Sequence, residues 1–194
     1  MPSFETHFQR MQPQLARIRD ARQRKRIKQL EAESTTDALT GLPNRRAYDL
    51  ALEETMDAGR RGLSFTLVIV DIDHFKKIND SRGHRTGDKV LSLLARTMQK
   101  FLRKIDKVCR IGGEEFAVLL VHPDPQKNPL IPLERLKEKV EATDFGIGQP
   151  VTISIGYATF SPEMDADSLF NAADAALYRA KAEGRNCIRA AEAA

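Results

Sequence analysis

The sequence predicts an α+β fold in which helices pack on a mixed β-sheet. Segments with the apolar runs of buried strands alternate irregularly with segments of helical spacing. In the middle of the chain, two of the strand-like segments are joined by a Gly-Gly pair, which is typical of a β-hairpin. The irregular order and the central hairpin together indicate a mixed sheet with helices packed on it.

The N-terminal part, residues 1–36, is predicted to be a charged helical stalk or linker. Residues 14–36 lack glycine and proline and are rich in Arg, Gln, Glu and Ala, which favour helix. Residues 1–36 carry 8 Lys or Arg against 4 Asp or Glu, whereas residues 37–194 carry 23 of each. All of the net charge of +4 therefore lies in the stalk, where a basic run is the ordinary solvated face of a helix.

The first helix of the globular part, residues 37–194, is predicted to begin at an N-cap. Asn44 follows a Gly- and Pro-containing loop and is a suitable capping residue. The helix is expected to run to about Met56, and Gly59 and Gly62 are expected to end it.

Two apolar segments, residues 65–73 and 151–160, are predicted to be strands. The first, FTLVIVDID, has an unbroken apolar core that is typical of a central strand covered on both faces. It carries Asp71 and Asp73 at its carboxyl end, so the strand fixes the position of both acids.

The central hairpin is predicted from the strand-like segments KVCRI and EEFAVLL, which flank Gly112 and Gly113. A tight turn between antiparallel strands usually requires positive φ, which glycine adopts at little cost. We therefore expect the two glycines to form the turn. Glu114 and Glu115 then lie at the tip of the hairpin.

Helical spacing of apolar residues predicts three further helices. Gly87 and Asp88 are expected to open the first of them. The apolar positions are Leu91, Leu94, Ala95, Met98 and Leu102 in the first, Leu133, Leu136 and Val140 in the second, and Leu169, Ala173, Ala176, Leu177 and Ala180 in the third.

Composition limits the class of protein. The chain has 194 residues, of which 41% are hydrophobic and 30% charged, and no apolar run approaches the roughly 18 residues that cross a bilayer. We expect a cytoplasmic protein, or the cytoplasmic part of a longer and perhaps membrane-bound regulator. The two cysteines, Cys109 and Cys187, lack metal-ligand spacing and are expected to be reduced and buried. The neutral globular part argues against nucleic-acid binding.

The acids of the strand and the hairpin indicate a metal site. If the two strands are neighbours, Asp71, Glu114 and Glu115 converge on one edge of the sheet, where a shared cation would let them stay ionised. Oxygen ligands without nearby His or Cys suit Mg²⁺ or Mn²⁺, and Mg²⁺ usually takes further ligands from phosphate. Side-chain alternation would send Glu114 and Glu115 to opposite faces of a regular strand, which leaves open which of them is nearer the metal. Solvated acids at a turn are the alternative.

The chain resembles the GGDEF-family diguanylate cyclases. The segments that carry the resemblance are DALTGLPNRR at 37–46, DIDHFKKINDSRGHRTGD at 71–88, GGEEF at 112–116, VTISIGYA at 151–158 and ALYRAKAEGRN at 176–186. A single GGxEF motif would be weak, but five segments in family order cover nearly all of residues 37–190.

The resemblance implies condensation of two GTP into cyclic di-GMP and pyrophosphate. The implied fold is palm-like, as in class III nucleotide cyclases, with a mainly antiparallel sheet and helices on both sides. It also implies two Mg²⁺ or Mn²⁺ ions per active site, which assist attack of the ribose 3′-OH on the α-phosphorus. Asp71 and Glu114 are the implied metal ligands, with the carbonyl oxygen of Ile72 and with Glu115 as a further ligand. Glu114 is in addition the implied proton acceptor.

The resemblance places Asn79, His84 and Asp88 around the base and the ribose. Guanine presents N1–H and N2–H donors, so a selective site needs an acceptor, and the Asp88 carboxylate is one. By sequence alone, Asp88 also suits a helix N-cap and His84 a surface loop.

Phosphate recognition is implied at two places. Lys76 would neutralise charge in the transition state, and backbone N–H groups around Phe75 would bind phosphate. Lys181 and Arg185 would hold the β- and γ-phosphates. Without the resemblance, the RAKAEGR segment is an ordinary helix C-terminus with basic residues and a glycine stop.

Arg103 and Asp106 match the RxxD motif at which the family binds its product as an inhibitor. Each domain is expected to hold one GTP, so activity would require a homodimer, and an upstream sensor domain would act through the N-terminal helix. The competing hypothesis is a non-catalytic receptor that binds cyclic di-GMP at the RxxD motif. A cyclase for another nucleotide pair is disfavoured by Asp88.

Overall fold

The computed structural model describes residues 35–122 and 128–192 of the chain. The predicted stalk helix, apart from Thr35 and Thr36, lies outside these residues. The chain divides into two units, Met1–Thr36 and Asp37–Ala194, and every element described below belongs to the second. Within the described ranges, none of the helices is both long and apolar enough to cross a membrane.

A five-stranded mixed sheet forms the centre of the second unit. The strands are β1 (Ser64–Ile72), β2 (Lys107–Arg110), β3 (Glu115–His122), β4 (Ile153–Thr159) and β5 (Ile188–Ala190). They lie in the order β2-β3-β1-β4-β5, and all neighbours are antiparallel except the parallel pair β4 and β5. The predicted α+β class with a mixed, mainly antiparallel sheet is confirmed.

Helices cover both faces of the sheet. They are α1 (Arg45–Arg60), α2 (Phe75–Arg82), α3 (His84–Phe101), α4 (Leu130–Glu141) and α5 (Ala166–Ala182). Residues Val68, Val70 and Ile72 of β1 pack in one hydrophobic cluster with α2, α3 and α4. The alternate residues Leu67 and Ile69 pack in a second cluster with α1 and α5. The two clusters explain why β1 is apolar without interruption from Leu67 to Val70, ahead of the acid at its carboxyl end.

Two helix boundaries differ from the prediction. Helix α1 is capped by Asn44, whose side chain accepts from the Ala47 N–H, but it continues through Gly59 to Arg60. Gly59 is needed for packing, because a Cβ there would lie 2.6 Å from the ring of Phe160. Helix α3 begins at His84, one turn before the predicted start. Asp88 is therefore not an N-cap, since Gly83 holds that position with φ +81°.

Helix α2 and strand β5 are absent from the prediction. The helix has only two buried residues, Phe75 and Ile78, in a polar sequence, so its apolar spacing is too short to show a period. Strand β5 has three partly exposed residues and is held by parallel pairing with β4.

The hairpin of β2 and β3 forms as predicted, but its glycines do not have positive φ. The connection spans residues 111–114, and the N–H groups of Ile111 and Gly112 both donate to the carbonyl of Glu115. A Cβ on Gly112 would lie 2.5 Å from Oε2 of Glu115. Gly112 therefore leaves room for the Glu115 carboxylate in its present position and does not serve a positive-φ turn.

Both cysteines are free, as predicted. Cys109 is buried in the cluster that contains α1 and α5. Cys187 is only half-buried, contrary to the prediction, because it lies in the loop before β5, where its thiol donates to the Ala180 carbonyl at 3.3 Å.

Candidate active site

Acidic residues gather at the carboxyl end of β1. Asp71 is paired in register with Glu115, the first residue of β3. Alternation along the two strands places these two side chains on the face that α1 and α5 cover. Glu114 lies before β3, outside its regular alternation, and the negative charges of Glu114 and Glu115 both act on Asp71.

A lysine from α5 reaches the same edge. Gly156 of β4 lets the helix approach closely, because a Cβ there would lie 2.1 Å from the backbone nitrogen of Leu177. Lys181 is one turn beyond Leu177 on the same side of α5. Its Nζ lies 2.7 Å from Oδ2 of Asp71. One of the three ammonium donors is therefore used by Asp71, and two remain for another acceptor.

The environment of Asp71 raises the pKa of its carboxyl group. The residue is only 6% exposed, and burial raises its pKa to about 6, with further increases from Glu114 and Glu115. The hydrogen bond and the charge of Lys181 oppose this rise without cancelling it. Ionisation of Asp71 is therefore costly despite Lys181, and a cation bound at this edge would offset that cost.

The donor set fits a hard divalent cation. Among residues 35–122 and 128–192, no three His, Cys, Asp or Glu side chains are already close enough to enclose a metal ion. Mg²⁺ does not need such a cage, because it is commonly bound through one or two carboxylates, waters and substrate phosphates. Asp71, the hairpin glutamates and the adjacent main-chain carbonyl of Ile72 offer only oxygen ligands, which suit this ion.

Asp73, two residues beyond Asp71, lies in a different environment. It is 5% exposed, and its carboxylate accepts from the hydroxyls of Thr152 and Ser154 at 2.7 and 2.6 Å. It also accepts from the backbone N–H of Asn186 at 2.9 Å. Sequence reasoning placed Asp73 at the strand end but gave it no role.

The predicted base-binding residues lie together at the junction of α2 and α3. Gly87 of α3 leaves room for the Asn79 side chain of α2, because a Cβ there would lie 2.0 Å from Oδ1 of Asn79. That oxygen is buried and accepts no hydrogen bond from the described residues. His84 and Asp88 are exposed and lie four residues apart in α3, so they share one side of its first turns.

The start of α2 carries the predicted phosphate-binding groups. His74 precedes the helix with φ +57°, and the exposed Lys76 is its second residue. The Phe75 side chain is buried in the core, so only its backbone N–H is available to a substrate. Arg185, in the loop after α5, is exposed and has φ +65°.

An arginine that the sequence analysis did not single out braces the hairpin. Arg110 donates from Nε and Nη2 to the carbonyls of Gly112 and Gly113 at 2.7–3.2 Å. Its Nη1 lies 3.0 and 3.1 Å from the carboxylate oxygens of Asp37. Burial raises the pKa of Asp37, but hydrogen bonds from Thr40 and Arg110 outweigh it and hold that pKa below its usual value. The position of Arg110, two residues before the GGEEF segment, was the available signal.

The predicted product site lies at the other end of β3. Asp106 is 9% exposed, and its carboxylate accepts from the backbone N–H groups of Arg103 and Val121 at 3.0 and 3.1 Å. Arg103 is exposed. Both residues line a cavity of about 580 Å³, to which His122 and Arg135 also contribute.

The sheet, its two helical layers and the acids at one edge define a palm-like domain of the nucleotide cyclase class. The chain belongs to the GGDEF family. Residues 34–187 match the family described as diguanylate cyclase, GGDEF domain.

The curated relatives carry names that agree with this family. The chain is 42% identical over 163 residues to diguanylate cyclase DgcP of Pseudomonas aeruginosa, which covers 82% of this chain and 24% of that protein. It is 40% identical over 176 residues to diguanylate cyclase DgcM of Escherichia coli, which covers 90% of this chain and 43% of that protein. The chain thus spans less than half of the length of these relatives.

Solved structures are similar over most of the chain. The coiled coil and GGDEF domain of DgcB from Caulobacter crescentus, in complex with c-di-GMP, matches with a TM-score of 0.80 and 31% identity, over 93% of this chain and 100% of that one. Diguanylate cyclase SiaD of Pseudomonas aeruginosa, in complex with its activator SiaC, matches with a TM-score of 0.76 and 36% identity, over 97% of this chain and 74% of that one.

Proposed function

We propose that the protein is a diguanylate cyclase that joins two GTP molecules into cyclic di-GMP and releases two pyrophosphates. The observation that carries the proposal is the buried Asp71, which lies opposite Glu115 and contacts Lys181 at one sheet edge. The names of the relatives, several of them diguanylate cyclases, support this reaction.

Asp71, Glu114, Glu115 and the Ile72 carbonyl would hold two Mg²⁺ or Mn²⁺ ions. The ions would supply electrostatic stabilisation of the triphosphate and would lower the pKa of the attacking 3′-hydroxyl. The ionised carboxylates give this edge its affinity for cations. The burial of Asp71 beside Glu114 and Glu115 supports the assignment, because a cation would offset the cost of ionising a buried acid next to other acids.

The junction of α2 and α3 would bind guanosine. The exposed carboxylate of Asp88 can accept from guanine N1–H and N2–H. Asn79 has a buried oxygen that accepts from none of the described residues, and a base or ribose donor would satisfy it. His84 lies on the same side of α3 as Asp88 and would contact the ribose or the base.

The residues at the sheet edge would stabilise the triphosphate. Lys181 has two remaining donors, and Arg185 can bind phosphate oxygens bidentately. Lys76 and the Phe75 N–H lie at the start of α2, where they would meet charge that develops in the transition state. The 3′-oxygen of one GTP bonds to the α-phosphorus of the other, and the bond to pyrophosphate breaks. A hairpin carboxylate, for which we assign Glu114, takes the 3′ proton.

Two chains are needed because each domain would hold one GTP. Facing sites in a homodimer would supply the two halves of the reaction, and a sensor upstream would act through the N-terminal segment. Arg103 and Asp106, at the cavity beyond β3, would bind the product and inhibit the enzyme. The c-di-GMP complex of the similar DgcB structure supports product binding.

Incubation with GTP and Mg²⁺ tests the proposal, with cyclic di-GMP measured by chromatography. We expect product from the wild type, with specific activity rising with protein concentration, and none above background from Asp71→Asn. Asp174→Asn, the same change at an exposed position of α5, is the matched control. An inert wild type that still binds cyclic di-GMP would favour a receptor, and an active Asp71→Asn would contradict the assigned site.

A further inference from the structure

We propose that Asp73 is a positioning residue that anchors the loop after α5, residues 183–187, to the acid edge. By holding this loop, it would place Lys181 and Arg185 for the triphosphate. The inference rests on the proposed function, because it takes those two side chains as phosphate-binding groups.

The contacts of Asp73 join three separate parts of the chain. Its Oδ2 accepts from the Thr152 hydroxyl and from the Asn186 N–H, and its Oδ1 accepts from the Ser154 hydroxyl. The carboxylate is thus bonded to the start of β4 and to the loop after α5. Because both of its oxygens already have protein donors, it is poorly suited to bind a metal ion directly.

The loop needs such an anchor. Arg185 and Asn186 have φ +65° and +45°, and consecutive non-glycine residues in this region are costly unless the surroundings hold them. The side chain of Asn186 makes only long hydrogen bonds, 3.4 Å from Lys137 and 3.3 Å to Glu141. The 2.9 Å bond from its backbone N–H to Asp73 is shorter, and its acceptor is buried.

Two acids at the end of β1, Asp71 and Asp73, therefore contact two separate residues at and beyond the C-terminal end of α5. Asp71 contacts Lys181 in the last turn of α5, and Asp73 binds Asn186 beyond it. Arg185 lies between these two residues in the chain.

The Arg185 N–H also donates to the Ala180 carbonyl at 3.0 Å, and the Cys187 carbonyl accepts from the Ile155 N–H at 3.0 Å. Loss of the bond to Asp73 would let the backbone between these two bonds relax from the left-handed region and would change where the Arg185 guanidinium lies.

A conservative substitution separates positioning from metal binding. Asparagine can place its oxygen where Oδ2 accepts from Thr152 and Asn186, and its amide nitrogen can donate to the Ser154 hydroxyl. Asp73→Asn therefore preserves the anchor, whereas Asp73→Ala removes it. A direct metal ligand would instead require the carboxylate charge, so both variants would lose metal affinity.

Steady-state kinetics with varied GTP and Mg²⁺ give the first test. We expect Asp73→Ala to raise KM for GTP roughly tenfold or more, the effect of losing a buried hydrogen bond to a charged group, with a smaller change in kcat. Asp73→Asn should restore KM to within about threefold of the wild type, and neither variant should shift the Mg²⁺ requirement. Asp165→Ala removes the N-cap at the opposite end of α5 and should leave KM unchanged.

Hydrogen exchange gives a second test that does not depend on turnover. The Asn186 amide should lose protection in Asp73→Ala and keep it in Asp73→Asn.

Should Asp73→Ala fail to fold, Asp73→Ser keeps a polar group in the same place but is too short to reach Asn186, and it should show the same loss. Unchanged protection in the alanine or serine variant, or equal KM values for Asn and Ala, would overturn the anchor. A wild type without cyclase activity would refute the proposed function alone, since exchange still reports on the loop.

Discussion

The two ends of strand β3 differ in how the protein satisfies the carboxylates beside them. At the start of the strand, Glu115 lies opposite Asp71, and the ammonium of Lys181 does not outweigh the effect of burial on that acid. At the other end, both oxygens of Asp106 accept backbone N–H groups, one of them from Val121 of β3 itself.

The two ends thus have two kinds of buried acid: those that stabilise the fold through protein hydrogen bonds, and those whose charge is left for a bound cation to compensate. A buried carboxylate with backbone donors stabilises the turn that supplies them. A buried carboxylate beside other acids costs stability until a cation arrives, which is the property of a binding site. By this criterion the Asp71 end is the reactive end. The side chain of Asp106 has a structural role in addition to the product binding that we propose.

The largest expected effect is on turnover at the Asp71 end. Glu115→Gln removes the charge directly opposite Asp71 while keeping its shape, and we expect cyclic di-GMP formation to fall on the order of a hundredfold. Glu53→Gln, an exposed position of α1, is the matched control and should retain full activity. Chromatographic assay of both variants would contradict the assignment if they were equally active.

The next effect is the pH dependence of stability without metal. The pKa of Asp71 is about 6 in the folded protein against 3.8 as its ordinary value, so the folded state binds the proton more tightly. Stability should therefore fall as pH rises from about 4 to 6, by on the order of 3 kcal/mol relative to Asp71→Asn.

Urea unfolding in EDTA, followed across this range for the wild type and Asp71→Asn, measures the difference. Excess Mg²⁺ at neutral pH should restore stability to the wild type, because it binds the ionised carboxylate of the folded state, and should not do so for the variant. Parallel pH curves for the two proteins would argue against the cost of ionising Asp71 at this edge.

A smaller effect concerns the two residues of the RxxD motif. Asp106→Ala leaves the Arg103 and Val121 N–H groups without their acceptor, and we expect a loss of about 2 kcal/mol in the free energy of unfolding. Arg103→Ala truncates an exposed side chain and should change stability by less than about 0.5 kcal/mol. Both should weaken inhibition by cyclic di-GMP. Equal stabilities, measured by urea unfolding, would show that the backbone contacts of Asp106 matter little.

Hydrophobic pattern was sufficient for most of the fold. Strands β1 and β4 contain apolar runs, and helices α4 and α5 have apolar residues at helical spacing, so their patterns indicate both type and position. Helix α2 and strand β5 bury too few residues to show a pattern, and tertiary contacts form them. The hairpin was predicted for an incorrect reason, since Gly112 makes room for Glu115 and has no positive φ.

The site was predictable to the extent that acids follow apolar strands. Asp71 and the hairpin glutamates could be placed on one edge because β1 and β3 are neighbours. The role of Asp73 could not be predicted, because its partner Asn186 is 113 residues away in the sequence. The brace from Arg110 to Asp37 spans 73 residues and was missed for the same reason. Sequence spacing alone does not show which donors surround a buried carboxylate.

The smallest expected effect is the pH dependence of stability that comes from His122, at the far end of β3. Its sign is opposite to that of Asp71, because His122 destabilises the protein as pH falls. His122 is buried against the Thr66 hydroxyl at 2.8 Å, and burial lowers its pKa, with Arg103 adding to this and Asp106 opposing it. Because the pKa of His122 is lower in the folded protein than its ordinary 6.5, the unfolded chain binds the proton more readily. The free energy of unfolding should therefore decrease as pH falls from 6.5 through the folded pKa. NMR titration of the imidazole should show a further decrease in pKa for Asp106→Asn and an increase for Arg103→Ala. Shifts in the reverse directions would mean that these charges do not act on His122 as the geometry indicates.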